Sequence, residues 1–504
     1  MMRNPRSCLA TFLFTLILSL SARAAIEGPR VPVPFAEPGI VHFPDNETIP
    51  EDALAEMIRS ELATAYDPVL GSRYPGALPL IDKFFRARTA TNRKAAIEEI
   101  TKTNLDAGTI GRLCHLRQNW PALAGGGLFY VNQRAGPYPA RYFVGVPTKY
   151  DRAKSWPLCV VLPDPRVLAA DSSLTADRVI DQYKTWIDAE LTLDPNTIVL
   201  MPLVNLDELY GPSYAGMNSV IQPLLDVGNH VNVDPARVYL VGRTSGTASA
   251  AWNLALHYPT YFSAFNALAG PATENWQRTR LVNLKNTLPV FWHDDDDPTV
   301  KVNFSKTLAN ELHTRKVDAE FIETKQMGHQ PSTDLVASTY RKMVGHVRDL
   351  YPQDVWVQTD RPEVIFNRVD WVQIYQQQSV GKPVKMFFPR TSGSMTVYSV
   401  DCSVRATIHD NVVDTAVDNV SVMQFLLNDR MVDLSRVVKV MVNGKEKFSG
   451  LLKPDIATLL NDQLFMGRGW RYYETSIDID LSKSRPDTKP TSRPTTRGRI
   501  IVGN

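Results

Sequence analysis

The chain has 504 residues, of which 44% are hydrophobic and 21% charged, and its 55 Lys and Arg nearly balance 53 Asp and Glu. A chain of this length holds two or three compact units, and its apolar content excludes wholesale disorder, a fibrous repeat and a coiled coil. The near-zero net charge and the lack of a basic segment in the folded region argue against nucleic acid as a partner.

The first residues have the three parts of a secretory signal peptide. A basic start precedes an apolar run from Cys8 to Leu20, and Ala22-Arg23-Ala24 supplies a small-residue cleavage site. The apolar run is shorter than the roughly 20 residues that a membrane span needs. Residues 1–24 are therefore predicted to be a cleaved signal peptide, and the mature protein is expected to be secreted or periplasmic.

Residues 25–127 are predicted to form a helical prefix. A Pro-rich extended arm opens it, and apolar residues then recur at helical spacing over 52–65 and again over 95–105. No motif in this prefix points to a function.

Residues 128–351 alternate between strand and helix patterns. A hairpin with its turn at Gly136-Pro137 comes first, and short apolar runs typical of strands buried on both faces follow it. These later strands are predicted at 157–162, 197–201, 237–241, 287–292 and 319–323. Amphipathic segments separate most of them, and such alternation indicates a doubly wound, mostly parallel sheet.

After Pro352 the pattern changes to short stretches of alternating polarity. Asn443-Gly444 is a strong hairpin turn signal, and residues 355–480 are predicted to be a separate β-sandwich that folds on its own. Residues 481–504 are rich in Pro, Thr, Ser and Arg and are predicted to be disordered. The mature chain keeps three cysteines, an odd number, so no disulfide framework is expected.

The most informative motif is Gly242-Arg-Thr-Ser-Gly246, which stands between a predicted strand and a predicted helix. It resembles the G-x-S-x-G nucleophile elbow of α/β-hydrolases, in which two glycines allow a sharp turn that presents the central side chain above the sheet. The resemblance covers somewhat less than half of the chain. It is nearest to the secreted esterase, polyhydroxyalkanoate depolymerase-like and dipeptidyl-peptidase-like branches, and it implies hydrolysis of ester or amide bonds. No cofactor is expected, and the run from Asp294 to Asp297 is not expected to hold a metal, because successive loop carboxylates rarely converge on one ion.

The other two members of a triad follow in the order that this family uses. His293-Asp-Asp-Asp-Asp-Pro298 is similar to the family's acid loop and places the acid on Asp297, and Met327-Gly-His329 is similar to the segment that carries the general base. The resemblance therefore implies a triad of Thr244, Asp297 and His329. A solvated acidic loop and an ordinary surface histidine are the alternatives for Asp297 and His329.

The centre of the elbow departs from the family, because Thr244 stands where the nucleophilic Ser belongs. At a positive φ, which this turn is expected to require, a β-branched side chain is costly, and a secondary alcohol is a hindered nucleophile. Ser245 is the alternative nucleophile, although in the family this position supplies a backbone N–H to the oxyanion hole.

The second oxyanion donor is also altered. The turn after the third strand reads Pro163-Asp-Pro-Arg166, and proline has no N–H to donate. Losing one oxyanion donor typically lowers the rate by about 10²–10³-fold. Asp164 would add negative charge beside a developing oxyanion unless Arg166 or Arg243 compensates it.

Two hypotheses follow from these departures. The protein is either an ester- or peptide-hydrolysing enzyme that acts on a small molecule or a polymer, or an inactive homologue that binds polymer or cell-envelope material. Aromatic residues of the β unit provide a candidate face for polysaccharide, with the protein core as the alternative. They are Trp356, Trp371, Tyr375, Trp470, Tyr472 and Tyr473.

Overall fold

The structure is a computed structural model that describes residues 42–135, 138–164, 176–203, 210, 213–360, 366–387 and 394–482. The predicted signal peptide, the Pro-rich arm, the turn at Gly136-Pro137 and the tail from residue 483 lie outside these residues. In the described part of the chain, no helix is long and apolar enough to cross a membrane.

The prefix is helical, as its spacing predicts, and it contains more helices than the two expected. They are α1 (Glu51–Leu62), α2 (Arg73–Arg86), α3 (Ala90–Thr101) and α4 (Ala107–Leu113). A short strand, β1 (Asn46–Thr48), pairs with β2 (Asn119–Pro121) and joins the two ends of the prefix. The sequence rules miss α2 because Pro75, Gly76 and Pro79 lie inside it, yet its apolar residues keep helical spacing and are buried.

The middle of the chain forms one eight-stranded sheet. Its strands are β3 (Gly127–Ala135), β4 (Tyr138–Val146), β5 (Trp156–Val161), β6 (Ile198–Pro202), β7 (Val233–Gly242), β8 (Ala264–Leu268), β9 (Leu288–Asp294) and β10 (Glu320–Thr324). Their order across the sheet is β3-β4-β6-β5-β7-β8-β9-β10. The pairs β3/β4 and β4/β6 are antiparallel and the others are parallel, which confirms the predicted mostly parallel sheet.

Helices connect these strands and cover both faces of the sheet. They are α5 (Ala176–Leu193), α6 (Tyr214–Val227), α7 (Ser245–His257), α8 (Asn275–Thr279), α9 (Asn303–Thr314) and α10 (Thr333–Val344). Leu158 and Val160 of β5 join one hydrophobic cluster, whereas the alternating Cys159 and Val161 join another, so the strand is buried on both sides. Strand β8 is not predicted from the sequence, because its five residues, Ala-Phe-Asn-Ala-Leu, include no β-branched residue and carry a weak strand signal.

The C-terminal unit consists of two packed sheets, as predicted. Its strands are β11 (Asp354–Thr359), β12 (Arg368–Val369), β13 (Val372–Gln377), β14 (Lys382–Phe387), β15 (Ser394–Ser399), β16 (Cys402–His409), β17 (Val412–Asp418), β18 (Val420–Leu427), β19 (Val438–Val442), β20 (Lys445–Gly450) and β21 (Thr475–Asp480). One sheet has the order β11-β16-β17-β19-β20, the other has the order β12-β13-β18-β21, and β14 and β15 form a separate hairpin. Asn443 and Gly444 both have positive φ, 49° and 75°, and join β19 to β20 as the expected hairpin turn.

The all-β description of this unit is wrong in one respect, because it contains a helix, α11 (Ile456–Met466), with buried leucines. Most of the aromatic residues considered as a polysaccharide face belong to the core. Trp371 and Tyr473 are 0% exposed, and Trp470 and Tyr472 are also buried. Of that set, Tyr375 is exposed and Trp356 half-buried.

The prefix and the C-terminal unit share one hydrophobic core, which the sequence did not suggest. Buried residues of α1 to α4 belong to the same cluster as buried residues of both C-terminal sheets and α11. A side-chain carbon on Gly111 of α4 would lie 2.5 Å from the Tyr472 ring, and Arg112 binds Asp429 at 2.5 Å. We therefore expect the predicted β unit to need the prefix for stability.

The C-terminal unit is also tied to the central sheet through a buried ion pair. Arg348 and Asp370 are joined by two hydrogen bonds of 2.7 and 2.8 Å, and neither side chain is exposed. Arg348 also donates to the backbone carbonyls of Phe262 and Asn286. These contacts fix the C-terminal unit against the ends of the central strands.

Candidate active site

The candidate acid and base lie in loops that follow two neighbouring strands. Asp297 comes after β9 and His329 after β10, and β9 pairs with β10 in parallel. Since the carboxyl ends of parallel strands meet at one edge of a sheet, the two loops are adjacent. His329 Nδ1 lies 2.8 Å from Asp297 Oδ2, so the structure joins this predicted pair.

The Asp297 carboxylate is buried and well supplied with donors. Its Oδ1 accepts from the backbone N–H groups of Thr299 and Val300 at 2.7 and 3.0 Å. Burial raises the pKa of this carboxyl, but the His329 ring and the two amides outweigh burial and lower the pKa below its ordinary value. An ionised Asp297 requires the proton of His329 to be on Nδ1.

His329 presents its other ring nitrogen away from Asp297. The imidazole is 21% exposed, and among the described residues Nε2 has no hydrogen-bond partner. A proton on Nδ1 leaves a lone pair on Nε2, so the ring is oriented as a general base would be.

A second histidine, for which the sequence motif indicates no role, supports the acid. His293 is fully buried, its Nε2 lies 2.8 Å from the Val300 carbonyl, and the same nitrogen is 3.2 Å from Asp297 Oδ2. Because a carbonyl only accepts, Nε2 carries a proton that faces both oxygens. Its Nδ1 contacts the Ser305 hydroxyl at 2.7 Å, which fixes the ring.

Asp294, at the end of β9, holds the base loop. Its carboxylate accepts from the backbone N–H groups of Met327 and Gly328 and from the Thr324 hydroxyl, at 3.1, 3.0 and 2.6 Å. Burial raises the pKa of Asp294, and these hydrogen bonds outweigh burial and lower it. Gly328 has φ 72°, a left-handed conformation that lets both amides face this carboxylate. The run of four aspartates therefore contains a buried anchor as well as the candidate acid.

Thr244 does not have the backbone conformation expected of a nucleophile elbow. Its φ and ψ are −117° and 160°, so the expected positive φ is wrong, and Thr244 is the N-cap of α7. The Thr244 N–H donates to the Thr247 hydroxyl at 3.0 Å, and the two hydroxyl oxygens are 3.1 Å apart. In the described residues, no hydrogen bond joins Thr244 to His329.

The elbow glycines and Ser245 are placed by the packing of α7 on the sheet. A side-chain carbon on Gly242 would lie 2.2 Å from the Thr247 carbonyl oxygen, so this glycine is required by close helix–strand contact. Ser245 is the first residue of α7 and is half-buried, and Gly246 follows it in the same turn. The structure does not assign either residue a catalytic contact.

Two of the three charged residues considered for the oxyanion turn, Arg243 and Asp164, lie in the described part of the chain. Arg243 forms a bidentate ion pair with Glu190 of α5, whose side chain is 3% exposed, so Arg243 is already neutralised. Pro163 and Asp164 follow β5, and Asp164 is buried. Pro165 and Arg166 lie outside the described residues.

The remaining reactive groups do not extend this site. Cys114, Cys159 and Cys402 are buried and form no disulfide with one another. Within the described ranges, no group of three His, Cys, Asp or Glu residues is arranged to hold a metal ion.

No model of a known protein family matches the chain, and no curated protein matches it in sequence. Among solved structures, it is similar to a thermostable esterase, with 16% identity and a TM-score of 0.34 over 44% of this chain and 64% of that one. It is also similar to a putative dipeptidyl aminopeptidase IV from Bacteroides ovatus, with 13% identity and a TM-score of 0.34 over 46% of this chain and 37% of that one.

A third similar structure is an S-formylglutathione hydrolase from Agrobacterium tumefaciens, with 14% identity and a TM-score of 0.33 over 45% of this chain and 97% of that one. The fold is evident from the topology of this chain. Its evidence is the strand order, the parallel crossovers and the position of the two loops at the carboxyl ends of β9 and β10. The middle of the chain, from β3 to α10, has the α/β-hydrolase fold.

Proposed function

We propose that this protein is exported and binds an ester- or amide-bearing ligand, small or polymeric, at a hydrolase-type site that forms no acyl-enzyme. The observation that carries the proposal is the state of Thr244. Its hydroxyl caps α7 together with Thr247, and its backbone is extended. A nucleophilic hydroxyl needs to hand its proton to a base within about 2.6–3.2 Å.

The oxyanion side supports the same proposal. Pro163 has no N–H to offer, and the buried Asp164 follows it, so this turn is unfavourable for a developing negative charge. Arg243, the candidate counter-charge, is paired with Glu190, which already offsets its positive charge.

A second candidate function is hydrolysis of an ester or a peptide by a triad of Thr244 or Ser245, His329 and Asp297. The observation in its favour is the His329–Asp297 hydrogen bond of 2.8 Å together with the unpartnered Nε2 among the described residues. In this mechanism Nε2 accepts the hydroxyl proton as the hydroxyl oxygen attacks the carbonyl carbon, and Asp297 stabilises the imidazolium.

A fluorophosphonate probe separates the two functions, because an activated hydroxyl attacks its phosphorus and displaces fluoride. We expect the intact mass of the purified mature protein to stay unchanged and its hydrolysis of p-nitrophenyl acetate to equal that of Thr244→Ala. The matched variant Thr244→Ser removes the branching methyl and should raise the rate.

An adduct on the wild type that disappears in Thr244→Ala, with esterase activity lost in His329→Ala, would establish the triad and overturn the binding proposal. An adduct that disappears only in Ser245→Ala would place the nucleophile one residue further along. Export is tested separately, by sequencing the N-terminus of the protein recovered outside the cytoplasm, which should begin at Ala25.

A further inference from the structure

A cleft of about 660 Å³ lies where the prefix, the central domain and the C-terminal unit meet, and it is called the junction cleft here. Its walls come from α2, the segment around β2, α6 and the end of α11. Among its lining residues are Asp82, Arg86, Arg117, Asn119, Asn229 and Arg468. None of the candidate active-site residues contributes to it.

Arg117 is a buried cation that forms no ion pair with any residue the structure describes. It is 9% exposed, its Nη1 has no hydrogen-bond partner within the described ranges, and its Nη2 makes one long contact of 3.4 Å to Asn229 Oδ1. A buried guanidinium that lacks acceptors is costly, and native structures normally pair it. Burial lowers the pKa of Arg117 well below its ordinary value, and repulsion from Arg468 and Arg86 adds to that effect.

The carboxylates of the cleft compensate Arg117 only in part, because Asp82 attracts it without forming a hydrogen bond or an ion pair to it. Asp82 is bound to Arg468, which also donates to the Cys114 and Leu116 carbonyls. Asp226 accepts from the Tyr142 hydroxyl and from the Asn229 amide, at 2.8 and 3.0 Å. Both carboxylates are therefore committed to other groups.

Arg86 adds a second cation without a counter-ion. It is exposed on α2, and among the described residues it forms no salt bridge. Arg117 and Arg86 therefore give the junction cleft two guanidinium groups that form no ion pair with a described residue, and such groups suit the oxygens of a carboxylate, a sulfate or a phosphate.

Uncharged amides also line the cleft, beside apolar residues such as Phe85 and Leu225. The side chains of Asn46 and Asn119 make no hydrogen bonds to other described residues, and both line the cleft. An amide supplies both donors and an acceptor, which matches the hydroxyl groups of a sugar. We propose that the junction cleft binds a small, hydroxyl-rich ligand that carries an oxyanion group, with Arg117 and Arg86 holding the anion and the amides holding the hydroxyls.

Arg117 also lines a separate cavity of about 20 Å³, which has room for about one water molecule. If that water satisfied the guanidinium, no anion would be needed. The two cases differ in whether added anions bind, so a titration decides between them.

The test is isothermal titration calorimetry of the full mature chain at low ionic strength with three probes: galacturonate, galactose and sodium sulfate. Galacturonate is expected to bind most tightly, sulfate more weakly and galactose not at all. Arg86→Ala should weaken galacturonate binding about tenfold, as expected for a lost charge-assisted hydrogen bond. Arg88→Ala is the matched control, because Arg88 is exposed two residues away and does not line the cleft.

Arg117→Met gives a second readout. It removes the buried charge and keeps much of the side-chain volume, so binding should be lost while the melting temperature without ligand is kept or rises. Absence of binding by both anions, equal effects of the Arg86 and Arg88 substitutions, or galactose binding as tight as galacturonate would each overturn the proposal. Sulfate binding as tight as galacturonate would overturn the sugar component.

Discussion

The two sides of the candidate site differ in how firmly each is held in the geometry that catalysis needs. On the acid and base side, two buried carboxylates accept several hydrogen bonds each and lock the loops after β9 and β10. On the elbow side, Thr244 has an extended backbone and shares its hydroxyl with Thr247 in a helix cap. A His–Asp pair can thus be preserved by loop structure alone, and its presence does not by itself indicate turnover.

Because the two sides differ in this way, substitutions on them should have unequal and separable effects on stability. The elbow should depend on its glycine for packing and only weakly on the Thr244 hydroxyl, whereas the loops should depend strongly on their carboxylates.

The largest effect is expected for Gly242→Ala. The new methyl group would lie 2.2 Å from the Thr247 carbonyl oxygen, and backbone at that contact has to move. We expect a loss of about 3 kcal/mol or more in the free energy of unfolding, measured by urea denaturation. Gly228→Ala is the control, since an added methyl there meets nothing within 4 Å. Equal stability of the two variants would mean that α7 is not packed closely on β7.

Asp294→Ala should come next, with a loss of about 2–3 kcal/mol, because it leaves the Thr324 hydroxyl and three backbone amides, those of Asp296, Met327 and Gly328, without their acceptor. The exposed neighbour Asp295 provides the matched control, Asp295→Ala, which should change stability by less than about 0.5 kcal/mol. Hydrogen exchange should show faster exchange at Met327 and Gly328 in Asp294→Ala alone. Unchanged protection there would refute the anchoring role of Asp294.

A smaller loss of folding stability is expected when the pH is lowered. The pKa values of Asp294 and Asp297 are lowered in the folded protein, so both groups bind protons less readily when folded than when unfolded. Their contribution to stability is complete above the unfolded pKa, about 4, and is lost as the pH falls through the folded values.

The measurement is the free energy of unfolding from pH 6 down to pH 2.5 in the wild type and in Asp297→Asn. The variant should start lower and lose less over this interval, because the Asn side chain does not titrate. Parallel curves for the two proteins would show that Asp297 has an ordinary pKa in the folded state.

The smallest effect belongs to the Thr244 hydroxyl. Thr244→Ala removes an N-cap and should cost about 1 kcal/mol, whereas Thr244→Ser keeps the capping oxygen and should stay within a few tenths. Thermal melts of the two variants give the comparison. A destabilisation of several kcal/mol in Thr244→Ala would assign this hydroxyl a larger structural role than capping.

The pairing of Asp297 with His329 could be predicted because each residue sits at a fixed place after a strand, and parallel strands bring such places together. The backbone conformation of Thr244 could not be predicted. The motif matches the residue spacing of the family, whereas φ at Thr244 depends on how α7 packs on the sheet. The sequence also offered four adjacent aspartates without showing that Asp294 is buried and Asp295 exposed. Burial is decided by packing of the loop.

The fold was predictable where the signal is local. Apolar runs marked most strands of the central sheet, and Asn443-Gly444 marked a hairpin. Helix α2 is not predicted from the sequence, because prolines within a segment normally indicate that no helix forms there. Tertiary packing of its apolar residues outweighs that local preference. The shared core of the prefix and the C-terminal unit has no local signal at all, because it joins segments from opposite ends of the chain.

That shared core has a consequence for how the chain is made. Arg112 and its partner Asp429 are 317 positions apart in sequence, with the whole central sheet synthesised between them. The entropy cost of closing so long a loop grows only with the logarithm of its length. The delay between synthesis of the prefix and synthesis of the C-terminal strands matters more than this entropy cost. The apolar faces of the prefix helices emerge first and stay uncovered until the last strands are complete. We expect the central sheet to fold first and the prefix to be the segment that needs protection from aggregation, by a chaperone or by rapid completion of synthesis.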